Sequence, residues 1–487
     1  MKKIISVLLV IAMLVPALVA CGKKTETGVS SGGSVDVESA VPEDVKFEGK
    51  TFTILCREDN ALGEFLHEVK ADEDATELVN EAVYKRNSAT QERFGLAELK
   101  AYAIPGQWAA KDDFINTFKN SILADSRAFD MIVSQQAYMA DPALTELYYN
   151  FYDVPYVGEN LNAKYYFQDA IKELSVNNSL KFLVGDYCLT FWEYLYVMYF
   201  NKQLAENNQL EDLYALVKDG KWTIDKCIEM SKGVYQDLNG DSWPGEEDSF
   251  GYITDISNTT DLFFSAFDVQ PTSKDEDGNH AITIDQSKMV DVLSKIISFK
   301  KTDDVYTFTS YSGNTQDEIP LDGIFQENRA LFYPERLFKA QKFRGMETDF
   351  GIIPYPKWNE QQEGYYTQSQ DGYSVMVIPT DAPDVAMSGA VIEVMSAISN
   401  AIVIPAYYDQ ALKSKYARDD QSGEMLDLVR DGIKINFGFF YGSIGMGSIF
   451  RQLIGEENSN FASFYAVNKK GYERNLQKVL KTYEKDN

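Results

Sequence analysis

The 487 residues carry a formal net charge of −28, with 45% hydrophobic, 25% charged and 13% aromatic residues. That length exceeds the usual single domain, the apolar share excludes wholesale disorder, and the acidity excludes both the cationic surface of a nucleic-acid binder and electrostatic adhesion to anionic lipid. His67 and His280 are the two histidines; both lie in polar stretches that predict surface positions, so a histidine-rich metal centre is excluded and a Ser-His-Asp site would need one of them.

The chain opens "MKKIISVLLVIAMLVPALVACGKK". Lys2 and Lys3 form a basic start, and Ile4–Ala20 is apolar but too short and wrongly flanked for a spanning helix. This predicts a signal peptide over residues 1–20, with the small residues of "LVAC" delivering Cys21 to lipid modification. The mature chain is then anchored by lipid, a palmitate-type acyl group included, to the outer face of a bacterial cell membrane. "GKKTETGVSSGGSVDVESAVPEDVKFEGK" has no apolar period and predicts a flexible tether over 21–48. Cys56, Cys188 and Cys227 are odd in number and lack CxxC spacing, which predicts buried free thiols.

"KTFTILC" alternates and is β-branched, predicting a strand that ends in the polar loop "REDN". A helix follows through "ELVNEAVYKRNSATQERF", with Thr76 as its cap and Gly95 as its stop. "LAELKAYAI", "KDDFINTFKNSILA" and "AFDMIVSQQ" predict strand, helix and strand. Such alternation implies parallel pairing through right-handed crossovers, with ligands at the carboxyl ends of the strands. That points to the loops after the first and third strands.

"TFWEYLYVMYFNK" is almost wholly apolar, so Glu193 within it is costly unless used or paired. "DLYALVKDGKWTIDKCIEMSKGVY" predicts two helices, the second capped by Thr223. "FGYITDI" predicts a strand, "MVDVLSKIISFK" an amphipathic helix, and "IFQENRALFYPERL" and "TDFGIIPYPKW" two more strands. "DGYSVMVIPTDAPDVAMSGAVIEVMSAIS" predicts strand, turn and helix with Pro383 in the first helical turn. The remainder is helical around the aromatic run "INFGFFYGSIG". No fixed-period repeat is visible.

The acidic stretch "DLNGDSWPGEED" has oxygen ligands at positions 1, 3 and 5 (Asp237, Asn239, Asp241), the Trp243 carbonyl at 7 and Asp248 at 12. This is the rhythm of a twelve-residue calcium loop. Its glycine falls at position 4, and Asp replaces Glu at 12, so structural Ca²⁺ of moderate affinity is expected.

"LVAC", "TELVNEAVYKRNSATQERFGL", "AFDMIVSQQ", "LYVMYFNK", "DLYALVKDGKWTIDK", "DLNGD", "FQENRALFY", "DFGIIPYPK" and "GYSVMVIP", in this order, resemble the extracellular solute-binding lipoproteins of bacterial ABC importers, in the maltose-binding-protein-like class. The resemblance implies a periplasmic-binding-protein-like class II fold: two α/β lobes, a hinge and an interlobe cleft. Lobe one would take 49–191 and about 352–402, lobe two 192–351 and about 403–487. It further implies a monomer that captures a carbohydrate, an oligosaccharide in the first instance, and delivers it to permease subunits.

Carried over segment by segment, the implied cleft residues are Arg57, Glu58 and Asp59; Ser134, Gln135 and Gln136; Trp192 and Glu193; Asp255; Glu335 and Arg336; Asp371; and Phe439, Phe440 and Tyr441. Carboxylates, amides and hydroxyls pair with sugar hydroxyls, and flat rings cover the C–H faces of pyranoses. Two other readings stand beside this one. A peptide or polyol could be the solute, or paired carboxylates could make the chain a secreted glycoside hydrolase, although no GxSxG, HExxH or Walker motif is present.

Overall fold

A computed structural model describes residues 35–484 apart from 36, 59–67, 72, 74–76, 277, 310–319 and 409–419. Cys21, Asp59, His67 and Thr76 lie outside the described residues. In chain order the strands are β1 (Thr51–Arg57), β2 (Glu98–Ile104), β3 (Met131–Gln135), β4 (Tyr196–Asn201), β5 (Phe250–Asp255), β6 (Thr272–Lys274), β7 (His280–Ile282), β8 (Val305–Phe308), β9 (Ala330–Arg336), β10 (Phe350–Ile353) and β11 (Ser374–Val377).

Two sheets organise the chain. The first is four-stranded in the order β11-β3-β1-β2. Its β1 runs parallel to β2, from Thr51 opposite Glu98 to Arg57 opposite Ile104, and parallel to β3 on its other side. The helices Leu78–Phe94 and Lys111–Leu123 supply the crossovers, as the alternation of patterns requires. β11 closes this sheet antiparallel to β3. The second sheet is five-stranded, β10-β4-β9-β5-β8. In it β4 is antiparallel to β9 and β10, and β5 is parallel to β8 and β9. Because β10 belongs wholly to this second sheet, residues 352 and 353, expected in lobe one, sit in lobe two.

Local signals account for most element ends. Gly95 adopts φ 67° and its N–H reaches the carbonyls of Gln91 and Glu92, the left-handed stop that an L side chain resists. The Thr223 hydroxyl accepts from the Lys226 N–H at 3.3 Å and starts the helix Ile224–Ser231. Pro383 does not begin the helix Val385–Ile398. Asp384 does, accepting from the Met387 N–H at 3.1 Å, since its carboxylate satisfies a donor that proline leaves open. The wholly apolar face of this helix is buried against the first lobe. The run Val385–Tyr408 is long and apolar enough to cross a membrane but is 78% buried inside the fold.

Two further expectations are corrected. Residues 37–48 are packed rather than loose: Val41 enters the core, the Ala40 N–H donates to Glu393 Oε1 at 3.1 Å, and Arg93 donates to the carbonyls of Val41, Pro42, Glu43 and Val45. One apolar side chain, one arginine and one buried carboxylate dock this polar stretch. His280 is buried, not at the surface. Its ring stacks on Phe437 at 3.8 Å and its Nε2 meets the Glu173 carbonyl at 2.8 Å. Burial lowers its pKa to about 4, so it is neutral. Cys56, Cys188 and Cys227 are free and buried, as their spacing predicts.

Candidate binding cleft between the lobes

Two of the chain segments that join the lobes run side by side. One is the helix Leu189–Glu193 with Tyr194 and Leu195 leading into β4; the other is 367–373 leading into β11. They are stitched together. The Ser369 hydroxyl donates to the Phe191 carbonyl at 2.8 Å, the Thr367 hydroxyl to the Tyr196 carbonyl at 2.8 Å, and the Gln370 N–H to the Tyr194 carbonyl at 3.0 Å. Strand ends from both sheets reach this pair. The Gln136 N–H just past β3 donates to the Tyr373 carbonyl, the Ala137 N–H to Asp371, and the Leu337 N–H just past β9 to Leu195. Ligands of open α/β sheets sit beyond such carboxyl ends.

A polar cluster occupies this junction. Arg336 lies over the Tyr194 and Phe338 rings, at 4.9 and 4.8 Å from their centroids, and its Nε donates to Glu335 Oε1 at 3.0 Å. The Arg451 guanidinium donates to Asp261 Oδ2. Asp371 is half-buried between the two arginines: burial raises its pKa, against the pull of Arg451 and Arg336. Burial likewise drives Asp261 well up, opposed by Arg451. Gln368 Oε1 accepts the Ser265 hydroxyl at 2.7 Å. Three buried atoms of this cluster have no hydrogen-bond partner among the described residues: Asp261 Oδ1, Arg451 Nε and Gln368 Nε2. Buried polar atoms are normally satisfied. A neutral, hydroxyl-bearing solute supplies both the donors and the acceptors that such a set lacks.

The structure distributes the sequence-derived residues as follows. Arg57, at the end of β1, is buried and donates to the Ser374 hydroxyl at 2.8 Å; that hydroxyl donates to Glu68, which also accepts from the Thr190 hydroxyl at 2.6 Å. This chain of bonds ties β1 and β11 to the first crossing. Glu58 is exposed at the rim and Gln135 half-buried. Ser134 is fully buried and hydrogen-bonded to the Tyr138 hydroxyl at 2.5 Å, so it braces the lobe from within. Gln136 is buried and its side chain donates across the lobes to the Phe440 carbonyl.

Asp371, Glu335 and Arg336 come together at the crossings. Asp255 stands at the end of β5, where it accepts the Ser257 N–H at 2.7 Å and the Ser257 hydroxyl at 2.8 Å. These bonds hold the turn that follows β5. Trp192 lines a separate cavity behind the first crossing, and Glu193 is half-buried on the same helix. Phe440 and Tyr441 are buried, and Phe440 lines the same small pocket as Phe439. They pack on Phe182 with ring centroids at 5.2 and 6.2 Å, because an aromatic run gives more apolar area inside than a cleft can use. Phe439 alone of the three is half-buried, beside Gln368 and Tyr373.

Asp261, Arg451 and Gln368 were missed. A lone arginine in the apolar stretch "SIFRQLIG" and a lone aspartate opening "DLFFSAF" are the signals that point to the first two; a charge inside an apolar run is costly unless paired. Nothing in "TQSQDGY" distinguishes Gln368.

The acidic loop closes on itself. Asp237 accepts the N–H groups of Gly240 and Ser242, Asn239 that of Asp241, and Asp241 that of Trp243. Asp248 is fully buried; it accepts from the Leu238 and Gly245 N–H groups at 2.9 and 3.0 Å. Burial works against its charge, but these N–H donors and the Tyr235 hydroxyl hold its pKa below the ordinary value. Trp243 projects into solvent, 77% exposed. Among the described residues no three His, Cys, Asp or Glu side chains converge as a metal site.

No protein-family model matches the chain, and no curated protein is similar to it in sequence. Solved structures are similar in fold. One is the galacto-N-biose/lacto-N-biose I-binding protein of an ABC transporter from Bifidobacterium longum in complex with lacto-N-biose, at TM-score 0.56 and 10% identity over 93% of this chain and 99% of that one. Another is an ABC substrate-binding protein from Listeria monocytogenes in complex with cycloalternan, at 0.53 and 10% over 90% and 100%. A third is a solute-binding protein of an ABC transporter from Agrobacterium radiobacter in complex with ribitol, at 0.51 and 10% over 90% and 99%. The chain therefore has the two-lobed class II fold of such binding proteins.

Proposed function

We propose that this chain is an extracytoplasmic solute-binding protein that captures a carbohydrate between its lobes and hands it to the permease of an ABC importer. The observation that carries this reading is the under-satisfied cluster Asp261, Arg451 and Gln368 at the interlobe crossings. The shared fold supports it, as do the sugars and the polyol that the similar structures hold. No chemistry is asked of the cleft: its carboxylates are paired with arginines or cap backbone N–H groups. The lobes would close as a hinge on the stitched crossings, driven by the solute's higher affinity for the closed arrangement.

The finer parts of the reading rest on sequence. Lipid anchoring through Cys21 is carried by the "LVAC" stretch, and an oligosaccharide rather than a polyol or peptide by the resemblance. A thermal-shift screen over oligosaccharides, polyols and peptides tests the solute class, because a ligand of the native state raises the melting temperature. Stabilisation by peptides alone sinks the carbohydrate reading. Mass analysis of the membrane-extracted chain tests acylation.

Calcium in the loop Asp237–Asp248 is a separate proposal carried by its ligand spacing. The carboxylates already serve backbone donors, so binding would require Asp237 and Asp241 to turn outward together. A calcium titration with and without Asp237→Ala and Asp241→Ala decides it: unchanged stability in calcium for the parent removes the metal.

A further inference from the structure

A cavity of about 400 Å³ lies behind the first crossing, apart from the cleft cluster. It is walled by Tyr165, Tyr166 and Phe167 of the first lobe, by Phe191 and Trp192 of the crossing helix, and by Tyr408, with Lys164, Asp186, Asn400 and Arg430 among them. The volume falls within the range of small-molecule sites.

Its polar groups are arranged from depth to rim. Asp186 is 7% exposed, and its Oδ2 accepts from the Asn400 amide at 2.7 Å. Trp192 is equally buried, and its indole N–H is directed at the Asp186 carboxylate, which it favours in the charged form. The Trp192 and Tyr408 rings meet edge to face at 6.0 Å. Lys164 and Arg430 are exposed at the mouth, Arg430 lying 5.7 Å from the Tyr408 centroid. The Asn400 amide and the Trp192 indole thus both face the Asp186 carboxylate, which gathers two donors and an acceptor at the base of the chamber.

The charges select the ligand class. An anion would face Asp186 in the depth, and a cation would meet Lys164 at a mouth where Arg430 is already paired with Asp427 and Asp431 at 3.5 and 3.3 Å. A neutral polyol meets neither conflict: its hydroxyls donate to Asp186 and accept from Trp192, Asn400 and Lys164, while its C–H face lies on aromatic rings. We infer that this cavity is a second ligand site, distinct from the cleft, for a neutral hexose or hexitol. The argument uses only the cavity's own groups and stands whether or not the cleft takes a carbohydrate. Because Trp192 sits on the crossing and Arg430 on the helix Asp420–Asp431 that packs on β10, an occupant touches the joint about which the lobes would turn.

The test is calorimetric and NMR saturation-transfer titration of the full chain with D-glucose, D-galactose and D-mannitol, and with D-glucosamine and D-gluconate as charged counterparts. Arg451→Met disables the cleft. Expected is binding of at least one neutral compound that survives Arg451→Met and weakens about tenfold in Asp186→Asn, the loss of one charge-assisted hydrogen bond. Asn400→Leu, at a half-buried position, repeats the loss from a second residue of the same cavity. In the parent the same event is seen alongside, and not in competition with, any cleft ligand. The inference is overturned by absence of neutral-ligand binding to Arg451→Met, by undiminished binding in both cavity variants, or by preference for either charged analogue. Loss of the cleft event alone would count against the cleft reading and leave this one standing.

Discussion

Arg451 and Asp261 pair through Nη2 and Oδ2, yet Nε of the one and Oδ1 of the other are buried without partners among the described residues. An ion pair that closes only half of its bonding capacity is a poor stability device and a good receptor.

Arg451→Met therefore separates binding from folding. Removing one member of a buried pair strands the other charge, and the Arg451 side chain is 38% exposed. This places the destabilisation near the lower end of the usual range, at about 3 kcal/mol. Solute affinity is lost in the same variant. Adding Asp261→Asn restores most of the stability in urea denaturation and none of the affinity in calorimetry.

The pH dependence of stability has an identifiable contributor in Asp186. Burial raises its pKa to about 7, against the pull of Asn400, Trp192 and Lys164. The folded state thus holds this proton more tightly than the unfolded chain, whose carboxyl titrates near 4. Its contribution is present below pH 4 and is lost as pH rises to 7. Asp186→Asn removes that dependence. Measured by denaturation, the variant gains on the parent between pH 4 and 8 by up to about 4 kcal/mol, the equivalent of three pKa units.

Glu393 is fully buried, and its oxygens accept from the Tyr165 and Tyr166 hydroxyls at 2.5 Å, the Asn160 amide at 2.5 Å and the Ala40 N–H. Glu393→Leu strands four donors, each costing about 1–3 kcal/mol when unsatisfied. Expected are a loss of at least about 3 kcal/mol and new protease cleavage between residues 37 and 45. An unchanged digest would show that the segment is held by Arg93 alone.

Thr223→Ala removes the hydroxyl that caps the helix Ile224–Ser231. The cost is about 1 kcal/mol in urea denaturation, with solute binding unchanged.

The legible parts of this chain were those written in local chemistry. Alternation and β-branching located β1 and β3, Gly95 and Thr223 marked helix ends, and the polar residues after β3 and β9 led to the crossings. Long-range burial was not legible. Phe440 and Tyr441 have the composition of a sugar platform but fill the space beside Phe182. His280 sits among polar neighbours in sequence and on Phe437 in space. The cluster at the crossings draws on residues 261, 336, 368, 371 and 451, and only Arg336 and Asp371 lay in segments that pattern could single out. The aromatic-rich "YYNFYDVPYVGENLNAKYYF" gave no sign that its tyrosines would hold a carboxylate from residue 393.

That carboxylate gives the molecule a handedness of restraint. The stretch entering the fold is clamped by Glu393 and Arg93, both in the first lobe. The entry of the described chain is thus fastened to the first lobe alone, by a carboxylate and an arginine that both belong to it.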